Sequence, residues 1–141
     1  MRFTPILAAV ALGATQLANA QGIVINCTWQ NALLEDNFLG MYCNNDDWAH
    51  FAYDWTWLDT NACLTNYGGK LLPYNTGNYW SSCGNCSLRK SPVDLLLECD
   101  CINDKGSMAP ASYDLNTVVY NRNGTLGCFN FLGNKTDIGP F

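Results

Sequence analysis

The sequence predicts an all-β fold made of two tandem repeats and stapled by disulfides, and three observations lead there. The segment Asp114–Leu126, D-L-N-T-V-V-Y-N-R-N-G-T-L, has a weaker copy 55 residues earlier at Asp59–Leu71, D-T-N-A-C-L-T-N-Y-G-G-K-L. Each copy runs from Asp and Asn through apolar residues to an Asn, a glycine turn at Gly69 or Gly124, and a strand-like Leu, which marks a duplication. Short β-branched and aromatic runs alternate with Gly, Asn and Pro punctuation, and nothing calls for a helix longer than a turn or two. Eight cysteines fall in the same frame: Cys27 meets Cys83 and Cys43 meets Cys99, both at an offset of 56.

Residues 1–20 carry one Arg, a short apolar run and a small-x-small end at Ala18 and Ala20, the pattern of a secretory signal cleaved after Ala20. The run is far shorter than the ~20 residues a membrane-spanning helix needs. The mature chain, residues 21–141, is therefore expected to be one secreted, extracellular domain with no membrane insertion. Cysteines on an oxidising route form disulfides, although eight of them allow about 105 pairings. The C-x-x-C at Cys83 and Cys86 has no second pair and only one histidine, His50, to join it, so neither a zinc site nor redox chemistry is expected. Seven Lys and Arg, scattered, stand against twelve Asp and Glu, which argues against nucleic acid and anionic membranes as partners. Asn, Trp and Tyr are plentiful instead. Amides both donate and accept, and ring faces cover the C–H face of a sugar, so the composition suits neutral, hydroxyl-rich ligands.

Taken in order, I-V-I-N-C-T-W from Ile23 reads as a strand leading to Cys27, residues 31–37 as a loop, residues 38–43 as a second strand and residues 44–47 as a turn. Residues 48–57 place Phe51, Tyr53, Trp55 and Trp57 at period two, with His50, Ala52, Asp54 and Thr56 on the other face. The aromatic face is expected to be core in preference to a sugar-stacking platform. Asp59 is the expected cap of a short helical turn reaching Thr65. Repeat one thus covers about residues 27–73, a turn-rich linker residues 74–82, and repeat two about residues 83–129, followed by a short tail. Within repeat two the expected strands are residues 83–88, 93–101, a short one ending at Tyr113, and 125–131, with turns at 90–92, 103–106 and Asp114.

The second repeat, with L-L-E-C at Leu96–Cys99, S-x-D-L-N-x-V-x-x-N-x-N-G-T-L from Ser112, and a cysteine sixteen residues ahead of Cys99, resembles the cyanovirin-N homology family of lectins from Cys27 to about Phe129. The first repeat is a degraded match. The resemblance implies a bilobal, pseudo-twofold all-β fold whose lobes each take strands from both repeats, as a monomer or strand-exchanged dimer. It also implies one site per lobe for mannose-type glycans, with no cofactor. One site would join Asn121, Arg122 and Asn123 to Asn44, Asp46 and Asn26. The other would use Thr65, Asn66, Asn78, Ser81, Ser82, Asp100 and Ile102. The family's acidic residue is replaced by Gly68 in the first copy and by Asn123 in the second, which weakens acceptance from sugar hydroxyls. The implied bridges are Cys27–Cys43 and Cys83–Cys99; the remaining four cysteines are then expected as Cys63–Cys86 and Cys101–Cys128.

Asn26, Asn85, Asn123 and Asn134 each open an Asn-x-Ser/Thr sequon, so the chain is expected to be a glycoprotein. A glycan on Asn123 would block its own lobe, which favours the Asn66 and Asn78 lobe as the working site. Catalysis is not expected. The carboxylate pairs Asp46/Asp47 and Asp54/Asp59 lie in turns or on an exposed face, and one histidine cannot build a nucleophilic triad. The rival reading is a secreted protein-interaction module, an effector or inhibitor, displaying Tyr74, Tyr79 and Trp80.

Overall fold

A computed structural model describes residues 22–137 and 139, so the leader expected over residues 1–20 lies outside the described residues. The first half of repeat one forms a single helical turn, α1 (Ile23–Asn26), then β1 (Leu33–Glu35), β2 (Phe38–Asn44) and β3 (Tyr53–Asp59). Its second half is the hairpin β4 (Leu64–Tyr67) and β5 (Lys70–Pro73). Repeat two supplies β6 (Cys83–Lys90), β7 (Leu95–Ile102) and β8 (Met108–Asp114), then β9 (Tyr120–Arg122) and β10 (Thr125–Cys128), with short β11 (Phe131–Leu132) and β12 (Asn134–Lys135). The sheets run β1-β2-β3-β12, β11-β10-β9, β4-β5 and β6-β7-β8.

The repeats exchange halves. β12 pairs with β3 through Asn134 and Trp57, and the Leu126 amide donates to the buried Thr56 hydroxyl at 3.0 Å, so β9–β12 complete the lobe begun by β1–β3. The hairpin β4–β5 joins β6–β8 in the other lobe, where the Asn66 amide donates to the Ile102 carbonyl at 2.9 Å. The D-x-N motif explains why both halves start alike. Asp59 and Asp114 each accept the amide two residues on at 3.0 Å and cap a 3₁₀ turn, Thr60–Ala62 or Leu115–Thr117. The motif Asn then reaches outward: Asn61 accepts the Trp80 amide at 2.9 Å, and Asn116 accepts the Val24 amide at 3.1 Å.

That second bond corrects the strand expected at Ile23. Asn116 holds Val24 while both Ile23 and Val24 enter the core, and burying two consecutive side chains requires a helical turn where a strand would send alternate residues outward. Repeat two mirrors it with the 3₁₀ turn Tyr79–Ser81, whose Tyr79 is fully buried. Residues 33–35, expected in a loop, add edge strand β1 to β2. β7 starts at Leu95 because the Ser91 hydroxyl, accepting the Asp94 amide at 3.0 Å, holds residues 91–94 as a turn. The strand expected over residues 125–131 breaks after Cys128, where Phe129 adopts φ 53°.

The aromatic face of β3 is not the core face. The register sets Thr56 against Met41 and Leu58 against Leu39, all four fully buried, whereas Trp55 faces Tyr42 and Trp57 faces Gly40 on the opposite side. Tyr42, Tyr53 and Trp55 stay half-buried; Tyr42 stacks on Tyr53, with ring centroids 5.4 Å apart, and lies tilted against Trp55 at 5.7 Å. Period two was legible, but β2 decides which face turns inward, because its own apolar residues are Leu39, Met41 and Cys43. Trp57 is buried by lying across Gly40, whose missing Cβ leaves room for the indole. Gly40→Ala is therefore expected to cost about 1–3 kcal/mol and to displace the ring. Urea unfolding together with near-ultraviolet dichroism checks it; an unshifted midpoint would overturn the contact.

All eight cysteines are paired, as Cys27–Cys43, Cys63–Cys128, Cys83–Cys101 and Cys86–Cys99. The first matches the expectation, and the expected Cys83–Cys99, Cys63–Cys86 and Cys101–Cys128 are corrected. Along β6 and β7, Cys83 pairs with Cys101 and Gly84 with Asp100, but the next pair is Ser87 with Glu98. Asn85 and Cys86 therefore oppose Cys99 alone, and this bulge, with Asn85 at φ 53°, lengthens the second repeat. The repeat bridges span 16 and 18 residues, and the counterpart of Cys43 is Cys101.

Candidate functional site

The two hairpin turns are built alike. Tyr67 pairs with Lys70 and Arg122 with Thr125, leaving two-residue turns Gly68-Gly69 and Asn123-Gly124 in which every residue has positive φ. This is the type I′ turn that fits strand twist and calls for Gly or Asn. Asn66 and Asn121, two of the expected sugar ligands, act as clasps. Each side-chain oxygen accepts its turn glycine amide at 2.8 Å, and each side-chain nitrogen bonds the strand that follows a repeat cysteine, at Ile102 or at Asn44.

Around the β9–β10 turn the expected residues do come together. The loop after β2 is organised by its own side chains: Asn44 accepts the Asp46 amide, Asn45 accepts the Asp47 and Ala52 amides, and Asp47 accepts the Ala49 and His50 amides, at 3.0–3.2 Å. These bonds hold Trp48 at the loop tip, 92% exposed. A cavity of about 520 Å³ lies against it, lined by Asn45, Asp46, Asp47, Trp48, Asn123 and Lys135. Lys135 is fixed by an ion pair with Asp54 at 3.3 Å. A second cavity, of about 900 Å³, lies against Tyr113, Tyr120, Arg122 and Phe129, and Asp46 and Asn123 line it too. Asn26 is exposed at the end of α1 and lines neither.

The other lobe gathers its set less well. Thr65 and Ser82 are half-buried, and the Ser82 hydroxyl accepts from the Asn66 amide at 3.0 Å. Asn78, in the left-handed region at φ 54°, caps its own turn by accepting the Ser81 hydroxyl at 3.1 Å. Asp100 accepts from Asn85 at 3.2 Å and lines a different cavity with Glu98 and Pro110. Ile102 is exposed, but its carbonyl belongs to the Asn66 clasp.

Sequence reasoning missed Asn45, Asp47, Trp48 and Lys135 in one lobe and Asp104 in the other. A Cβ on Gly68 would lie 3.1 Å from an Asp104 carboxylate oxygen, so a turn from repeat two sets an acid beside the position where the first copy has none. Asp104 was findable: once Cys101 is matched to Cys43, Asn103-Asp104 falls on Asn45-Asp46. The other carboxylates considered for catalysis are occupied, Asp54 by Lys135, and Asp59 by the Asn61 amide and the Asn37 side chain. The aromatic display expected in the linker reduces to Tyr74, 62% exposed, since Tyr79 is fully buried and Trp80 half-buried edge-on against it.

The family model described as CVNH domain matches residues 25–135. Among solved structures, the chain is similar to GzCVNH of Gibberella zeae, at 21% identity and TM-score 0.58, over 69% of this chain and 88% of that one. It is similar to microvirin in a mannobiose complex, at 18% identity and TM-score 0.59, over 74% of this chain and 94% of that one. It is also similar to a MoCVNH3 variant in complex with (N-GlcNAc)4, at 18% identity and TM-score 0.59, over 70% and 92%. No curated protein matches the chain in sequence.

Proposed function

The chain belongs to the CVNH domain family, and from that premise we propose that it is a secreted lectin recognising mannose-type or related neutral oligosaccharides at the β9–β10 turn. The observation that carries this reading is the cavity lined by Asp46, Asp47 and Asn123 together with the exposed Trp48. Carboxylates accept strongly from sugar hydroxyls, which offsets the amide at Asn123, while Trp48 offers its face to the C–H side of a pyranose. The loop is already bonded into place, so little ordering entropy opposes binding. Sugar complexes of the related microvirin and MoCVNH3 variant support the ligand class. Four disulfides support an oxidising destination.

The sequence favoured the Asn66 lobe, but there the central amide is committed to three acceptors, Ser82 Oγ and the Ser82 and Ile102 carbonyls. Asn66→Ala would thus report on folding as much as on binding. Trp48→Ala is the better probe, because an exposed side chain is removed at little cost in stability. Calorimetry on protein trimmed of N-glycans, with mannobiose and with a GlcNAc tetramer, is expected to give saturable binding to one of them. In Trp48→Ala it should weaken about tenfold or more, with an unchanged unfolding midpoint. No heat with either sugar at millimolar concentration, in folded protein, would reject the lectin reading.

A further inference from the structure

Tyr42, Tyr53 and Trp55, on the outer face of β2 and β3, belong neither to the core nor to the cavity against Trp48. We propose that this face is a second, independent carbohydrate surface, a stacking platform for an extended neutral polysaccharide of β-1,4-linked pyranose units. Its cavity shares no lining residue with the one against Trp48, so it does not depend on the sugar reading of the turn.

Tyr53, Trp55 and Trp57 stand at every second residue of β3, which spaces them about 6–7 Å apart along the strand. Tyr42 lies opposite Trp55 on β2 and bridges it to Tyr53, with ring centroids 5.7 and 5.4 Å away. Phe51 continues the row, 62% exposed and edge-on to Tyr53 at 5.6 Å. At the other end Trp55 stacks at 6.1 Å on Trp57, which is itself fixed across Gly40. The rings hold one another, so binding orders little. Tyr42 and Tyr53 are within 25° of parallel, and Trp55 and Trp57 within 19°, which makes an open row and not the enclosing box of rings that captures a cation. A cavity of about 600 Å³ lies against Tyr42, Tyr53 and Trp55, and the exposed Asn31 and Asp137 line it too. Among the described residues nothing engages either of those side chains, whereas Asp54, also in the lining, is paired with Lys135. Rings with a free amide and a free carboxylate beside them suit the C–H faces and hydroxyl rim of a pyranose, and the carboxylates disfavour an anionic polymer. A straight row of several rings favours a long ribbon-like chain, whose successive units each meet a ring, over a short or branched glycan.

The test measures depletion of the protein from solution by microcrystalline cellulose and by chitin, two sources of the same ribbon chemistry. The wild type is expected to be retained on at least one of them. Thr suits a strand, so Tyr53→Thr should keep the sheet while its partition coefficient falls about five- to tenfold. Trp48→Ala should partition like the wild type. In parallel, the Tyr42 and Tyr53 ring resonances of the wild type should shift with cellohexaose or chitohexaose and not with mannobiose, a readout that needs no variant. Retention on neither polymer together with no shift from either hexaose would overturn the platform. Retention that survives Tyr53→Thr, or that is lost in Trp48→Ala, would also overturn it by placing the binding elsewhere. Shifts of the same resonances on raising protein concentration without sugar would assign the face to contact between copies of the chain, again overturning it. Failure of mannobiose and the GlcNAc tetramer to bind bears on the turn reading alone.

Discussion

Replacing Cys63 and Cys128 together with alanine is expected to lower the unfolding free energy by about 4 kcal/mol, more than removal of any other bridge. Cys63 ends the 3₁₀ turn before β4, in one lobe, and Cys128 ends β10, in the other; both are fully buried. Their disulfide closes 65 residues, against 16, 18 and 13 for the other three, each of which joins neighbouring strand segments inside one lobe. In the loop-entropy account the short closures are worth roughly 3 kcal/mol each. A domain of this size has only about 5–15 kcal/mol in total, so loss of the cross-lobe bridge removes a large share of it. Guanidinium unfolding of the double variant, beside a Cys86→Ala/Cys99→Ala control, measures the difference. A control that falls as far as the cross-lobe variant would show that loop length does not govern these bridges.

The same pair shows where sequence reasoning stopped. Cys63 and Cys128 belong to different copies of the repeat, and a linear alignment of the copies cannot say that opposite halves pack together. What the alignment made visible was local chemistry repeated at a fixed offset: Asp59 and Asp114 as caps, and the two glycine turns. The exchange of halves came from the family resemblance, and the structure has it. The pairing of Cys83 failed for a different reason, because Cys99 and Cys101 lie two residues apart on the same buried face of β7 and only the register with β6 selects between them. The face of β3 was ambiguous because two alternating sets both contain apolar residues, and only its partner β2 selects between them. Ile23-Val24-Ile25 has high strand propensity, yet a single amide acceptor on Asn116 and the burial of two adjacent side chains outweigh it.

The candidate site was half legible for a related reason. The motif residues Asn66 and Asn121 stand out because they hold the turns, and a residue so committed has little left for a ligand. The group with free capacity is Trp48, and it and the Asp47 that orders the loop stand where repeat two has no residue of the same kind, so the duplication gave no signal for them. Their position depends on the side-chain bonds of Asn44, Asn45 and Asp47, whose partners lie within seven residues, which is why N-N-D-D read correctly as a turn but not as a platform.

Stability is expected to fall between about pH 10 and pH 12 through Tyr79, by up to about 3 kcal/mol. Its ring is fully buried, and its hydroxyl lies 2.6 Å from the Thr60 hydroxyl. Thr60 spends its one proton on the Asn37 carbonyl at 2.6 Å, so Tyr79 must be the donor in that pair. Burial pushes the phenol up to about 12, and the nearby Asp59 carboxylate adds to the rise. The unfolded phenol ionises near 10. Below that pH both states carry the proton and the contribution is complete. Above it the unfolded chain deprotonates first and binds fewer protons than the fold, so stability drops until the folded group also ionises near 12. Tyr79→Phe removes this titration at the cost of one buried hydrogen bond, about 1–2 kcal/mol at neutral pH. The wild-type advantage over Tyr79→Phe should therefore shrink above pH 10 and reverse before pH 12, while contributions from the remaining groups cancel in the comparison. Denaturant midpoints of the two proteins taken at intervals from pH 8 to 12 measure it, and a difference that stays constant across that range would show that the folded phenol ionises at its ordinary pH.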